Sequence, residues 1–207
     1  MRASEPIPGD PWPHDMVVTI SDAGSLLFLL FVRSAWRIPS AGVPELETEP
    51  AVGTSARPEA IDPLVAELQW RTEWDRAWQE YAPRSVAVQA PDAETQYMLD
   101  TLSDEELWNA TSTQPSDFWD DGVDREALNA WEHSLHDPYD LPLDQHPERL
   151  ALPALIEAWR TGLNTIIELP FVGYYADRID RERLVVSRRT RRDRGLYSRA
   201  LRTRRRW

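Results

Sequence analysis

Two histidines at the end of a predicted helix are the strongest metal-ligand candidates in this chain. His133 and His136 are three positions apart, so on a helix both rings could point the same way. His146 and several acids follow closely and could add nitrogen or oxygen ligands. The spacing matches no metalloprotease signature, and a polar helix end, where the dipole favours histidine, explains the pair more simply. We therefore predict no metal and no cofactor.

The spacing of glycine excludes several catalytic motifs. The eight glycines are scattered, and no two lie within ten residues of each other. The dinucleotide fingerprint, the phosphate-binding P-loop and the nucleophile elbow all need closely spaced glycines. The chain also has no Cys and no Lys, which removes thiolate and side-chain amine chemistry. The sequence favours a non-enzymatic function, with a hydrolase or metalloenzyme around His133 and His136 as an alternative.

The most distinctive feature is the arginine-rich C-terminus. Residues 178–207 contain 13 Arg and 3 acids, a net charge of +10, whereas residues 1–177 contain 10 Arg and 32 acids, a net charge of −22. Guanidinium groups bind phosphate and carboxylate groups bidentately. In residues 188–207, here called the Arg tail, the predicted binding residues are Arg188, Arg189, Arg191, Arg192, Arg194, Tyr197, Arg199, Arg202, Arg204, Arg205, Arg206 and Trp207.

Two kinds of partner suit the Arg tail. Aromatic residues among its arginines are typical of single-strand binders, and residues 196–201 could form a short amphipathic helix on RNA. The acidic remainder of the chain is an obvious intramolecular partner, and it would repel a phosphate backbone. We predict that the Arg tail docks on acidic protein surface, of this chain or a partner subunit. RNA or DNA phosphates are the alternative, and an anionic lipid surface is a further one.

A stripe of large aromatic residues marks the clearest helix. Asp62 is a good N-cap and Pro63 suits the first helical position. The stripe that follows at helical spacing consists of Trp70, Trp74, Trp78 and Tyr81. Such a stripe normally faces the core, but Trp and Tyr are also frequent interface anchors. A partner-binding groove at these residues is therefore an alternative to core packing.

The distribution of proline and charge predicts the domain organisation. Residues 1–15 contain four Pro and are expected to form an extended arm. Residues 16–187 are expected to form a single acidic domain, with a polar loop at residues 39–60, before the basic tail at residues 188–207.

Hydrophobic patterns predict an α+β fold. A β-hairpin is expected over residues 16–37, with the apolar run 26–32 as its second strand; seven residues are too few to span a membrane. Further strands are expected at 85–88, 165–169 and 184–187, and helices near 62–82, 92–100, 103–110, 124–136 and 148–163, the last broken at Pro153. Strands near both ends should share a small mixed or antiparallel sheet, covered by several short helices.

These features together predict a non-enzymatic interaction or regulatory protein whose acidic, Trp-rich body binds a protein partner. A signal peptide is not evident at the N-terminus and Cys is absent, so a cytoplasmic location is expected. An acidic body that mimics nucleic acid and captures a basic partner is a further alternative.

Overall fold

The computed structural model of the chain describes residues 11–21, 23–39, 42–81, 97, 101, 118–119, 121–136 and 141–203. The chain divides into two compact units. Unit 1 consists of Met1–Ala23, Pro44–Thr48 and Asp137–Trp207, and unit 2 consists of Gly24–Val43 and Glu49–His136.

In chain order the described elements are β1 (Thr19–Ser21), α1 (Gly24–Trp36), α2 (Pro63–Tyr81), α3 (Arg125–Leu135), a 3₁₀ turn (Leu143–Gln145), α4 (Pro147–Leu150), α5 (Leu152–Arg160), β2 (Thr165–Leu169), β3 (Ala176–Arg178), β4 (Arg183–Ser187), α6 (Arg188–Arg192) and α7 (Arg194–Leu201). In this set we find no helix with the length and apolar character needed to cross a bilayer.

Unit 1 contains a four-stranded mixed sheet in the order β1-β2-β4-β3. Strand β2 pairs in parallel with both β1 and β4, and β3 pairs antiparallel with β4. The predicted strands at 165–169 and 184–187 are confirmed, and so is the α+β class with N- and C-terminal strands in one sheet. Continuous apolar runs suit these central strands, because their side chains are buried on both faces.

The predicted β-hairpin over residues 16–37 is wrong. Only Thr19–Ser21 forms a strand, and the apolar run that follows forms the 13-residue helix α1. The residues of the run are mostly Leu and Phe, with one β-branched residue, Val32, so local propensity does not oppose a helix. Most side chains of α1 are buried. A helix that is buried on nearly all sides has no polar face, so its sequence shows no 3.6-residue alternation of apolar and polar residues.

The other helix predictions are confirmed wherever the structure describes the residues. The Asp62 carboxylate accepts a hydrogen bond from the N–H of Leu64 at 2.7 Å, and Asp124 caps α3 in the same way. The helix expected at 148–163 is broken between α4 and α5, beside Pro153. The elements predicted within 85–110, and most of the arm at 1–15, lie outside the described residues.

Each unit has its own apolar core. In unit 1, one face of the sheet packs against α5 and α7, with Ile166, Leu184 and Val186 facing Leu155 and Ala200. In unit 2, the indole N–H of Trp70 on α2 donates to the Leu29 carbonyl of α1 at 2.7 Å. The rings of Phe31 and Trp131 join α1 to α3, with centroids 5.9 Å apart.

The first part of the Arg tail is folded. Ser187 caps α6 by accepting from the N–H of Thr190, and Asp193 caps α7 by accepting from the N–H groups of Gly195 and Leu196. Side-chain oxygens at both N-caps satisfy N–H groups that have no partner inside the helix. Two short helices therefore follow β4 directly.

Candidate functional site

An open cleft in unit 1 brings a strand edge together with a group of buried charges. Its volume is about 410 Å³, which lies within the range of roughly 300–1,000 Å³ typical of ligand sites. The lining residues are Trp12, Val17, Val18, Thr19, Ile20, His146, Glu148 and Arg191. They come from β1 and the segment before it, from the start of α4 and from α6.

One side of the cleft is the outer edge of β1. The N–H of Thr19 donates to the Asn164 carbonyl at 2.8 Å, so Thr19 turns its backbone groups toward β2. Alternate residues of a strand turn these groups to opposite sides, and the N–H and C=O of Ile20 therefore point away from β2. Within the described residues β1 is the last strand on this side of the sheet. The side chains of Val17 and Ile20 are 42% and 36% exposed.

The charged side of the cleft is formed by what we call the Arg191 cluster: Arg191, Glu148, Glu168, Arg188 and Tyr197. Arg191 donates from Nε and Nη2 to the two oxygens of Glu148, at 2.8 and 3.1 Å. Its Nη1 donates to Glu168 at 2.8 Å, and Arg188 lies 3.8 Å from the other oxygen of Glu168. The Tyr197 hydroxyl donates to Glu148 at 3.2 Å. The two arginines and two glutamates are balanced in charge.

Burial and charge set the protonation of this cluster. Burial opposes the charged form of Arg191, but the hydrogen bonds and charges of Glu148 and Glu168 outweigh it and raise its pKa above the ordinary value. Burial also raises the pKa of Tyr197 well above its usual range, and the neighbouring charge of Glu148 adds to this. The guanidinium therefore stays charged and the phenol stays neutral across the physiological pH range.

The sequence of α6 and α7 explains how the cluster forms. Arg188 and Arg191 are three positions apart on α6, so both reach Glu168 on the adjacent strand β2. On α7, Tyr197, Ala200 and Leu201 form the buried face, which places the Tyr197 hydroxyl beside Glu148. Sequence reasoning assigned Arg188, Arg191 and Tyr197 to a binding tail, and it missed Glu148 and Glu168. The spacing of the apolar residues on α7 is the signal that identifies its buried face.

The remaining arginines of the Arg tail divide into two groups. Arg189, Arg192, Arg194, Arg199 and Arg202 are exposed on α6, on α7 and next to their ends. Arg204, Arg205, Arg206 and Trp207 lie outside the described residues. The exposed arginines do not line the cleft.

The aromatic stripe of α2 lies in unit 2. Trp70 and Trp74 are buried and stacked, with ring centroids 5.1 Å apart and an interplanar angle of 15°. Trp78 packs edge-on against Trp74 at 5.7 Å, and Trp78 and Tyr81 are half-buried. Half of the stripe thus forms core, and its C-terminal half is partly accessible.

The two metal-ligand candidates lie on the surface of unit 2. The rings of His133 and His136 are exposed, with centroids 6.4 Å apart. Each Nδ1 donates to the backbone carbonyl four residues earlier, at 2.7 and 2.8 Å. In the part of the chain that the structure describes, no group of three or more His, Cys, Asp or Glu side chains could hold a metal ion. Hydrogen bonding to backbone carbonyls at a helix end accounts for the positions of both histidine rings.

Sequence reasoning also missed a buried carboxylate in unit 2. Glu73 is 7% exposed and accepts hydrogen bonds from Trp119 Nε1 at 3.0 Å and Gln69 Nε2 at 2.6 Å. Burial raises the pKa of Glu73 above its ordinary value, despite the opposing hydrogen bonds and the charge of Arg76. A raised carboxyl pKa means that the folded state binds the proton more tightly than the unfolded state does. Protonation of Glu73 therefore stabilises the folded state at low pH, and this stabilisation is lost as pH rises through the folded pKa.

Glu73→Gln is therefore expected to flatten the pH dependence of stability. The amide oxygen can still accept from Trp119, and no charge is buried, so the variant should be at least as stable as wild type at about pH 7.5. The difference in stability between the variant and wild type should shrink as pH falls toward 4.5, the ordinary pKa of the side chain. Urea unfolding across this range tests it, with Glu126→Gln as a control that removes an exposed carboxylate. An equal loss of stability for Glu73→Gln at every pH would contradict the expectation.

The cleft beside β1 combines the features expected of a binding site. It has an open cavity, outward-facing backbone groups, exposed apolar side chains and a buried ion pair on its charged side. The chain matches no protein family, no curated protein and no solved structure.

Proposed function

We propose that this chain is a non-enzymatic protein-binding module that captures an extended peptide of a partner protein along the outer edge of β1. The observation that carries the proposal is the outward-facing backbone of Ile20, at the edge of the described sheet and on the cleft. An edge strand offers a row of N–H and C=O groups to which a further strand can be added.

The exposed apolar side chains of Ile20 on β1 and of Val17 in the segment before it define the kind of peptide that fits. An added strand with apolar residues beside these positions would cover them and remove their surface from water. Backbone hydrogen bonds would supply much of the affinity and the side-chain contacts would supply the selectivity.

The Arg191 cluster supports binding rather than reaction. Both oxygens of Glu148 already accept hydrogen bonds, from Arg191 and from Tyr197. A buried guanidinium and a phenol thus hold this carboxylate in place, and it shapes the cleft. Since the cluster is balanced in charge, the peptide requires no charged residue opposite it.

The proposal is tested by selecting peptides from a displayed random library on the full chain and measuring their affinity by fluorescence anisotropy. Ile20→Pro removes an outward N–H without removing a bond to β2, and Ile20→Val is the matched control because it retains that N–H. We expect Ile20→Pro to weaken binding by roughly tenfold, which corresponds to about one lost hydrogen bond. Ile20→Val should change binding by less than about threefold.

Hydrogen exchange gives a second readout. The amide of Ile20 should become protected when the selected peptide binds. If no peptide is enriched, or if Ile20→Pro binds the selected peptide as tightly as Ile20→Val, the proposal is wrong. A stable dimer in which the β1 edges of two copies protect each other would also overturn it, because a second copy would then occupy the edge.

A further inference from the structure

Helices α6 and α7 carry a group of exposed arginines on unit 1, which we call the basic surface: Arg189, Arg192, Arg194, Arg199 and Arg202. Asp193, the acid between them in sequence, is occupied as the N-cap of α7, because its Oδ1 accepts from the N–H groups of Gly195 and Leu196 at 2.8 and 2.9 Å. The surface is distinct from the cleft beside β1, whose arginine is the buried Arg191.

Arg192 apart, the arginines of the basic surface have at most a weak partner within the described residues. Arg189 and Arg194 form no ion pair within the described residues. Arg202 pairs with Glu157 at 3.2 Å, but the two side chains are 57% and 62% exposed, and such surface pairs contribute little. Arg199 lies 4.8 Å above the ring of Tyr174, which is 40% exposed. These groups are therefore accessible to an anionic ligand.

The distribution of charge between the units has a direct consequence for this surface. Unit 2 contains 19 acids and 7 Arg, a net charge of −12, whereas unit 1 contains 16 acids and 16 Arg and is neutral. Within unit 1, Glu148 and Glu168 neutralise the buried Arg188 and Arg191. At physiological ionic strength the Debye length is about 8 Å, so the local charge of a surface outweighs the net charge of the chain.

In the sequence, Arg204, Arg205 and Arg206 follow Thr203 directly, and they add three positive charges to the chain after the basic surface.

We propose that the basic surface binds the phosphate backbone of single-stranded nucleic acid. Guanidinium groups bind phosphate oxygens bidentately, and they remain charged at any physiological pH. The exposed ring of Tyr174, with Arg199 above it, provides a surface on which an unpaired base stacks. An acidic peptide would use the arginines but would gain nothing from this aromatic surface, so we favour nucleic acid over an acidic protein.

A salt titration with fluorescein-labelled single-stranded RNA and DNA of mixed sequence tests the proposal. The paired variants are Arg189→Ala/Arg194→Ala and Arg125→Glu, which change the charge equally; Arg125 is exposed on α3 in unit 2 and is not part of the basic surface. Log affinity should fall with log salt by about 0.7 per phosphate contacted on a single strand, so the double variant should reduce the slope by roughly 1.4. Arg125→Glu should leave the slope unchanged.

Tyr174→Ala tests the aromatic part of the site. Loss of one stacked base should weaken binding by roughly fivefold or more while leaving the salt slope unchanged. Ile20→Pro should have no effect on oligonucleotide binding, so failure of the peptide proposal would not be mistaken for failure of this one.

Three results would overturn the nucleic-acid proposal. The first is the absence of oligonucleotide binding at low salt, and the second is an equal loss of binding in the double variant and in Arg125→Glu. The third is binding to phosphatidylserine vesicles or to polyglutamate that is as tight as binding to the oligonucleotides, since the surface would then respond to negative charge alone.

Discussion

Arg191→Met is expected to lower the free energy of unfolding by roughly 3–5 kcal/mol, because removing one member of a buried ion pair leaves the other charged and buried. Arg191 and Glu148 are 8% and 5% exposed in their side chains, and Arg191 also pairs with Glu168. The variant would leave both carboxylates without their shortest ion pairs. Urea unfolding followed by far-UV circular dichroism measures the effect.

The double variant Glu148→Leu/Arg191→Met distinguishes the net contribution of the ion pair to the free energy of unfolding from the destabilisation caused by removing only one partner. Buried ion pairs contribute little compared with apolar side chains of similar size, so the double variant should recover much of the stability lost in Arg191→Met. The recovery should be incomplete, because Tyr197 would lose its acceptor on Glu148. If the double variant is less stable than wild type by the sum of the losses of Arg191→Met and Glu148→Leu, the two side chains act independently and our account of the cluster is wrong.

The Arg202–Glu157 pair is the natural control for this experiment. It joins the same kinds of side chain within the same unit, at 3.2 Å, but both groups are largely exposed. Arg202→Met should therefore change the free energy of unfolding by at most about 1 kcal/mol. A loss as large as that of Arg191→Met would show that burial is not what makes the cluster important.

Elements with local chemical signals could be predicted from the sequence. Asp62 and Asp124 mark the starts of α2 and α3 because a short acidic side chain can cap a helix without any distant partner. The strand at Thr165–Leu169 is similarly visible, because it is a short apolar run ended by Pro170. The hairpin prediction failed because its apolar run fits a buried helix as well as a strand. Strand β1 pairs in parallel with residues near 165, far away in the sequence.

The candidate site shows the same limit. The abundance of arginine identifies the C-terminus as distinctive, but it does not indicate which arginines are buried and which are exposed. That separation depends on Glu148 and Glu168, which are 43 and 23 residues away from Arg191. Nothing in the sequence distinguishes these two from the other acids among 35. The cleft itself depends on β1 lying at the edge of the sheet, which follows from strand order rather than from any local pattern.

Trp70→Ala is expected to destabilise the protein by roughly 3–5 kcal/mol, the usual range for a buried aromatic residue. Trp70 is 1% exposed, stacks on Trp74, and donates its indole N–H to the Leu29 carbonyl at 2.7 Å. The variant would leave a large cavity between α1 and α2 and would remove the indole donor from the Leu29 carbonyl. Thermal and urea unfolding of the full chain would measure the loss.

Two further substitutions divide this loss into its parts. Trp70→Phe retains a ring against Trp74 but removes the donor to Leu29, so it should cost about 1–3 kcal/mol. Trp78→Ala removes the same type of side chain from a half-buried position on the same helix, and it should cost less than Trp70→Ala because less apolar surface returns to water. Equal losses for Trp70→Ala and Trp78→Ala would mean that the whole aromatic stripe is core, and the alternative of a partner groove at these residues would have to be abandoned.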